Sequence, residues 1–289
     1  MTTTSTPNPT PTTAAERAGR TPKRPSLATI ALSRTRLELK AFFRNRESAM
    51  FNFALPVLLL VIFGSVFGNQ KLGDTGVSFS QYFVAGMIAS GIVYTSFQNL
   101  AIAIPLERDD GTLKRIQGMP VPKSAYFLGK VGLVAASFVA QVTLLFAIGA
   151  LFYGIQIPGT AAKWATFLGV SVLGLIACTL LGIAFSSVSK NGKGASAIVS
   201  PVVLVFQFTS GVFFTFNQLP PWMQQFAALF PLKWLTQGMR SVFLPDVASS
   251  LEVTGGFEIG RVLLVLTAWV VVGALLALRF FHWERRGDS

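Results

Sequence analysis

Six apolar segments constrain this chain more than any other feature of its sequence, because each is near or above the roughly 20 residues that a transmembrane helix needs. We place them at about residues 49–68, 83–106, 127–152, 164–188, 197–216 and 259–281. Hydrophobic residues make up 52% of the chain and charged residues only 12%, against roughly 25% charged in an average soluble protein. The sequence therefore predicts an all-α membrane protein with a six-span transmembrane domain over residues 49–286.

The basic residues indicate how these segments are oriented. Nineteen of the 24 Lys and Arg residues lie before the first segment, around the connection after the second, in the connection after the fourth, or at the end of the chain. Basic residues are retained on the cytoplasmic side of a membrane. We therefore expect both termini in the cytoplasm. The net charge of +12 borders apolar segments, so nucleic-acid binding is not expected.

Two stretches precede the first segment. Residues 1–25 are rich in Thr and Pro and lack apolar periodicity, which predicts a disordered cytoplasmic tail. Residues 26–48 predict an amphipathic helix that lies in the headgroup layer, with its cations toward anionic lipids. The alternative is a solvated helix with an ordinary core-facing side. The apolar side holds Leu32, Thr35, Leu39, Phe42 and Phe43, and the basic line beside it holds Arg36, Lys40 and Arg44.

The connection after the second segment is a dense run of mixed charge, ERDDGTLKRIQGMP from Glu107 to Pro120. A short charged loop that is rigidly joined to two helices can transmit motion, and Gly111 permits a tight turn where a short helix begins. We predict that residues 107–126 form a loop that docks onto a partner at the cytoplasmic face. The alternative is a topology loop with solvated charges.

Neutral polar and aromatic residues lie within the segments, where ionisable residues are almost absent away from the ends. This absence argues against a proton-coupled pump or an ion pathway. The polar residues either hydrogen bond between helices or line a path for a large, mainly apolar cargo. Phenylalanines of the fifth segment either face lipid or contribute to that lining. The candidate path residues are Gln98, Asn99, Phe206, Gln207, Phe208, Phe213 and Phe214.

The connection between the fifth and sixth segments, residues 217–258, alternates prolines with short apolar patches. Each patch is too short to cross a membrane. Short helices that dip back into the outer leaflet and pack against protein satisfy both the apolar faces and the backbone of such patches. We therefore predict re-entrant outer helices in this connection.

The sequence carries no motif for catalysis or for a resident metal. It contains no GxxxxGK[ST], HExxH, CxxC or GxSxG pattern, and NGKGAS at residues 191–196 lacks the first glycine of a phosphate-binding loop. His282 lies at a membrane edge, and Cys178 lies inside an apolar segment. We expect a subunit without catalytic residues, without a metal site and without a bound cofactor.

The sequence resembles the permease subunit of type-2 ABC transporters, particularly the bacterial drug-exporter branch that includes the daunorubicin exporter permease. The resemblance covers essentially Ser26 to Arg286. The motifs that carry it are ERDDGTLKR followed by Pro120, SGVFF at residues 210–214, LPPW at 219–222 and FPLKWLTQGMR at 230–240.

The resemblance implies that a separate ATPase docks on the interfacial helix and on the loop after the second span, with a second, weaker contact at residues 189–196. It implies that the chain lies in the inner membrane of a bacterial cell. It also implies a pair of permease chains, expected to be a homodimer, with two ATPase subunits that hold ATP and magnesium. The cargo would be amphipathic drugs, antibiotics or lipids. The alternatives are export of a lipid-linked glycan, a stand-alone channel or intramembrane enzyme, and an anchor subunit that moves no cargo. The implied coupling residues are Glu107, Arg108, Gly111, Thr112, Lys114 and Arg115.

Overall fold

The computed structural model describes residues 26–120, 122–155, 157–189 and 191–283. Within these ranges the chain is helical, and the only strand-like pairing is an isolated bridge between Lys71 and Ser78. The all-α class is therefore confirmed. The tail predicted to be disordered, residues 1–25, lies outside the described residues.

The described part of the chain contains eleven α-helices. They are α1 Leu27–Arg44, α2 Arg46–Phe67, α3 Phe79–Ile92, α4 Asn99–Asp109, α5 Thr112–Gln117, α6 Lys123–Tyr153, α7 Ala161–Phe185, α8 Gly192–Thr209, α9 Pro221–Ala228, α10 Pro231–Phe243 and α11 Ile259–Phe280. A π-helical segment, Val93–Gln98, joins α3 and α4 into one continuous helix. Short 3-10 turns lie at Gly73–Thr75, Phe216–Gln218 and Asp246–Leu251.

Five helices in the described ranges are long and apolar enough to cross a membrane. They are Phe79–Asp109, Lys123–Tyr153, Ala161–Phe185, Gly192–Thr209 and Ile259–Phe280. The first predicted segment falls in α2, where the apolar helical stretch Asn52–Phe67 is shorter than these five. The chain is thus a multi-pass membrane protein, and the count of six spans stays a prediction.

Three helix boundaries differ from the sequence prediction. The helix of the second segment continues to Asp109, so Glu107 and Arg108 are helical rather than part of a loop. The fifth segment ends as a helix at Thr209, before Gly211 turns the chain with a φ of 77°.

The connection before that fifth segment is also shorter than predicted. Helix α8 begins at Gly192, because the Asn191 side chain accepts a hydrogen bond from the Gly194 N–H and caps the helix. Much of the weaker contact loop predicted at residues 189–196 is therefore helix.

The continuous helix formed by α3, the π segment and α4 lies at the centre of the bundle. Nearly every side chain of α3 is buried, and α2, α6, α7, α8 and α10 contact this helix. Helix α7 approaches the π segment very closely, because a Cβ at Gly182 would lie 2.8 Å from the Phe97 carbonyl oxygen. The Thr95 hydroxyl donates to the Gly91 carbonyl at 2.7 Å, so a side chain satisfies a backbone group beside the irregular turn.

Helices α9 and α10, in the connection between the fifth and sixth segments, differ in burial. Helix α10 packs against protein as expected, and it is buried over almost its whole length, against α3, α7 and α11. Burial of Arg240, one of its two buried cations, is compensated: Arg240 Nη1 lies 2.9 Å from Glu252 Oε1, and the guanidinium lies 3.9 Å from the centre of the Tyr82 ring. Helix α9 remains on the surface, where Trp222 is 65% exposed.

Candidate coupling site

A cluster of buried charges, which we call the charge cluster, joins three helices on the side of the bundle where α4 ends. It consists of Arg34 and Glu38 from α1, Glu107 from α4, and Lys130 with Tyr126 from α6. Lys130 Nζ lies 2.7 Å from Glu38 Oε2 and also pairs with Glu107 Oε1. Arg34 Nη2 lies 2.9 Å from Glu38 Oε1, and the Tyr126 hydroxyl donates to Glu107 Oε2 at 2.7 Å.

Local sequence explains why these helices come so close. Gly129 and Gly132 lie on the α6 surface that α1 crosses, and a Cβ at either position would overlap the side chains of Arg34 or Thr35. Glycines that permit close helix approach are typical of membrane helices. The approach places Glu38, which is 7% exposed, directly over Lys130, which is 1% exposed.

The charge cluster is balanced, with two carboxylates opposite two cations. Moving an ion out of water costs several kcal/mol even after relaxation, and a close partner with further hydrogen bonds offsets that cost. Each charged group of the cluster has such a partner inside the chain. The cluster is therefore a constraint on geometry, since α1, α4 and α6 cannot separate without leaving a buried charge unpaired.

A sharp turn follows the charge cluster and leads into α5. We call residues 107–117, from the end of α4 to the end of α5, the elbow. Gly111 has a φ of 76°, a left-handed conformation that favours glycine, and no atom lies within 4 Å of the position its Cβ would take. The Asp110 carboxylate accepts a hydrogen bond from the Thr112 N–H at 2.8 Å and so fixes the start of α5.

Helix α5 has two distinct faces. Leu113 and Ile116 are 1% and 6% exposed, and they pack into a small apolar core with Leu100, Ile104, Tyr126, Val134, Ile183 and Ala277. Lys114 and Arg115 lie on the exposed face. The elbow is therefore anchored by its apolar side and presents a basic side outward.

The end of α4 also contacts three other spans. Arg108 Nη1 donates to the Ser186 carbonyl after α7 at 3.3 Å, and Nη2 donates to the His282 carbonyl after α11 at 3.0 Å. The Asp109 carboxylate accepts from the Gly192 N–H at the start of α8 at 2.6 Å. The elbow is therefore hydrogen-bonded directly to the ends of α7, α8 and α11.

The six predicted coupling residues fall into three groups. The side chains of Glu107 and Arg108 point into their own chain, where their partners are the charge cluster and two backbone carbonyls. Gly111 and Thr112 form the turn, while Lys114 and Arg115 are exposed. The geometry thus gives Glu107 and Arg108 a positioning role instead of the outward-facing one expected from sequence.

The partners in the charge cluster were missed at the sequence level, although one signal was present. Lys130, near the start of the segment 127–152, is the only charged residue in that segment. An ionisable group at such a position needs a partner. Its partners could not be chosen by spacing, because Glu38 and Glu107 are distant in the chain.

The predicted basic line of α1 lies on the side of the helix that faces away from α6. Arg36, Lys40 and Arg44 are all exposed. Two residues of the predicted apolar side, Leu32 and Phe43, are 66% and 54% exposed beside them. The other three, Thr35, Leu39 and Phe42, are half-buried.

A large apolar cavity of about 530 Å³ lies between α7, α8, α11, the π segment and the start of α10, and we call it the α7–α8–α11 cavity. Cys178 and Ser187 are the only residues with polar side-chain atoms, apart from the Trp269 indole, among its lining side chains in the described part of the chain. Its aromatic lining residues are Phe97, Phe185, Phe206, Phe230, Trp269 and Phe280.

The seven candidate path residues do not share one surrounding. Phe206 is the one that lines the α7–α8–α11 cavity. Gln207 is fully buried and accepts a hydrogen bond from the Ser90 hydroxyl at 3.3 Å, which favours the alternative of bonding between helices. Gln98 Oε1 and Asn99 Nδ2 are buried and have no hydrogen-bond partner among the described residues.

The remaining three path candidates belong to an aromatic group near the turn after α8. The rings of Phe208 and Phe213 lie 4.8 Å apart, and Phe213 contacts Phe63 and Phe83. Phe214 is 50% exposed. Phe213 packs against α2 and α3, while Phe208 is 44% exposed on α8, so this group forms a different surface from the cavity that Phe206 lines.

Replacing Lys130 with Met should destabilise the fold by about 3–5 kcal/mol, because removing one partner of a buried ion pair leaves uncompensated charge, here the carboxylates of Glu38 and Glu107. Thermal unfolding of the purified protein in detergent measures the loss. The triple variant Glu38→Gln, Lys130→Met, Glu107→Gln is the matched control and should recover most of it, since the charges are removed together. Equal melting temperatures for Lys130→Met and the parent would contradict the cluster's structural role.

Comparison with known proteins agrees with this architecture. Residues 32–244 match the ABC-2 type transporter family. The inner membrane transport permease YadH of Escherichia coli K12 is 25% identical over 233 residues, covering 79% of this chain and 84% of that protein. The putative transport permease ycf38 of Porphyra purpurea is 25% identical over 251 residues, covering 81% and 82%.

A third relative is the probable multidrug ABC transporter permease YbhR of Escherichia coli K12, 25% identical over 151 residues that cover 51% of this chain and 39% of that protein. The family match contains α1's second half, the elbow and the outer helices α9 and α10. The resemblance seen in the sequence motifs is confirmed, and the chain belongs to the ABC-2 type transporter family as a transmembrane permease.

Proposed function

We propose that this permease is the membrane subunit of an ATP-driven exporter and that a separate ATPase docks on the exposed basic face of α5. The observation that carries the proposal is the elbow, whose inner side is anchored by Leu113 and Ile116 while Arg115 faces outward. An anchored element with an exposed, charged face is suited to bind a partner and to transmit its movement. Two permease chains with two ATPase subunits would form the complete transporter.

The contacts of the elbow suggest how movement of the ATPase would be transmitted to the membrane helices. The charge cluster ties Glu107 to α1 and α6, while Arg108 and Asp109 bond the ends of α7, α8 and α11. Packed elements of this kind move as rigid bodies and switch between discrete arrangements. Closure of the ATPases would therefore tilt several spans together, and the cytoplasmic ends of the helices would move first.

The partner subunit is proposed to hold ATP and magnesium. The sequence of this chain has no GxxxxGK[ST] phosphate-binding loop. The permease would accordingly contribute no catalytic residue, and its role would be to convert movement of the ATPases into movement of cargo.

The proposed cargo is an amphipathic drug, antibiotic or lipid, whose apolar part would bind in the α7–α8–α11 cavity. Its volume of about 530 Å³ lies within the roughly 300–1,000 Å³ of typical ligand pockets. Its lining offers few polar side-chain atoms to hydrogen bond sugar hydroxyls, which disfavours a glycan headgroup. The name of YbhR, a probable multidrug permease, supports the same cargo class.

A homodimer in the inner membrane of a bacterium, with both termini in the cytoplasm, is the proposed assembly. Helix α8 exposes Leu204, Val205 and Phe208 along one side, which a second copy or lipid would cover. Membrane lipids are the other expected partner, along α1. The distribution of basic residues supports the orientation.

Charge reversal on the exposed face of α5 should separate the ATPase from the permease without unfolding it. The tagged permease and the ATPase encoded beside it are expressed together and purified in detergent. Arg115→Glu is expected to reduce the amount of co-purifying ATPase by at least about tenfold, in line with the 2–5 kcal/mol that a lost interfacial charge pair costs. Arg279→Glu, at the exposed end of α11, is the matched control and should retain it. Undiminished co-purification and ATP-driven efflux in Arg115→Glu would refute the docking site.

Cargo binding should depend on Phe206, which lines the cavity, and not on Phe208, which lies outside it. Phe206→Gln adds a polar group to the α7–α8–α11 cavity and should raise the concentration of amphipathic dye needed for half-maximal stimulation of ATP hydrolysis in proteoliposomes. Basal ATP hydrolysis should stay the same. Phe208→Gln, which lies outside the cavity, is the control. If the two variants shift the dye response equally, the cavity is not the cargo site.

A further inference from the structure

We infer that the junction of α1 and α2 binds one anionic phospholipid in a defined groove, which we call the α1–α2 groove. The groove has a volume of about 480 Å³ and runs between α1, α2 and α6. Arg46 lies in its wall. The apolar residues that line it are Phe43, Ala49, Met50, Phe53, Ala54, Val57 and Leu144.

The apolar part of the groove has the dimensions of an acyl chain. From Arg46 to Val57 it follows α2 for about 16 Å at 1.5 Å per residue. The rings of Phe43 and Phe53 lie nearly parallel, with centroids 6.3 Å apart, and form one wall. Ala49 is buried, while Met50 is 68% exposed, so the groove is open along its side to the surrounding bilayer.

The basic part of the site lies at the α1 end of the groove. Arg46 lines the groove there, and Arg44, Lys40 and Arg36 lie on the exposed side of α1, one helical turn or more apart, leading back from its end at Arg44. No acidic side chain that the structure describes lies within ion-pair distance of any of these four. Guanidinium groups bind phosphate through paired, charge-assisted hydrogen bonds, so this end of the groove is suited to a phosphate headgroup.

An anionic phospholipid is the ligand whose chemistry matches both parts. A free phosphate would leave the apolar groove unfilled, and a zwitterionic lipid would leave the cations without a net counter-charge. The α1–α2 junction lies on the side where basic residues predict the cytoplasmic leaflet, in which anionic lipids attract basic segments. The continuity of groove and cations therefore commits the site to a lipid.

The lipid proposed here is distinct from the cargo. The α1–α2 groove shares neither a residue nor a helix with the α7–α8–α11 cavity. It adjoins α1, which the charge cluster ties to Glu107 of the elbow. A bound lipid would hold α1 at the membrane surface and would thereby restrict movement of the elbow, to which α1 is tied. This effect would not depend on which molecule the transporter exports.

Native mass spectrometry of the purified permease, titrated with dioleoyl phosphatidylglycerol or dioleoyl phosphatidylcholine, tests the site. We expect one phosphatidylglycerol to bind more tightly than phosphatidylcholine. The double variant Arg44→Gln, Arg46→Gln should weaken phosphatidylglycerol binding about 25-fold, since each basic residue near an anionic lipid contributes about fivefold, and it should leave phosphatidylcholine binding unchanged.

A second pair of variants tests the apolar part. Ala54→Trp fills the α1–α2 groove from its exposed side and should weaken binding of both lipids, whereas Leu58→Trp, on an exposed position of α2 outside the groove, should not. Equal affinity of the parent for the two lipids would overturn the proposal. So would wild-type phosphatidylglycerol binding by Ala54→Trp, or displacement of the lipid by glycerol phosphate at equal concentration.

Discussion

The pairing of Lys130 with Glu38 and Glu107 is the interaction on which the arrangement of this permease depends. Three helices from distant parts of the chain meet at one ammonium group that is almost fully buried. In a low-dielectric surrounding such a group is stable only with its counter-charges in contact. Amphipathic helix α1, which could otherwise lie freely on the membrane, is thereby fixed to the same body as the elbow, and the elbow is fixed to the long helix α6.

This constraint divides the molecule into parts with separate tasks. The elbow and α1 form the region proposed to receive force and to contact lipid. The α7–α8–α11 cavity, lined by Phe206, is proposed to hold cargo. On the opposite side α10 is buried through the Arg240–Glu252 pair and the Tyr82 ring. Ion pairs thus fix helices at both places, while the centre of the bundle is packed mainly by apolar side chains with a few neutral polar contacts such as that of Ser90 with Gln207.

Much of the fold could be predicted from the sequence, because the apolar segments and the Pro-rich outer connection have short-range signals. The basic line Arg36, Lys40 and Arg44 was identified for the same reason, since it follows the helical period. Features that depend on contacts between distant residues were not predictable. Spacing gave no indication that Glu107 would turn toward Lys130, or that α10 would be covered on nearly every side. Phe206 and Phe208 looked equivalent in sequence and differ only because the cavity lies on one side of α8.

The most direct test is whether α1 and the elbow move as one body. Spin labels are placed on the exposed residues Ser33 of α1 and Gln117 of α5 in a Cys178→Ala background, and the transporter is reconstituted with its ATPase. Double electron–electron resonance then measures the Ser33–Gln117 distance in a sample labelled on one copy, and the Gln117–Gln117 distance in a second sample labelled on both copies. The account predicts the same distance without nucleotide and with trapped ATP, while the distance between Gln117 labels on the two copies changes. A Ser33–Gln117 distance that changes as much as the distance between copies would contradict it.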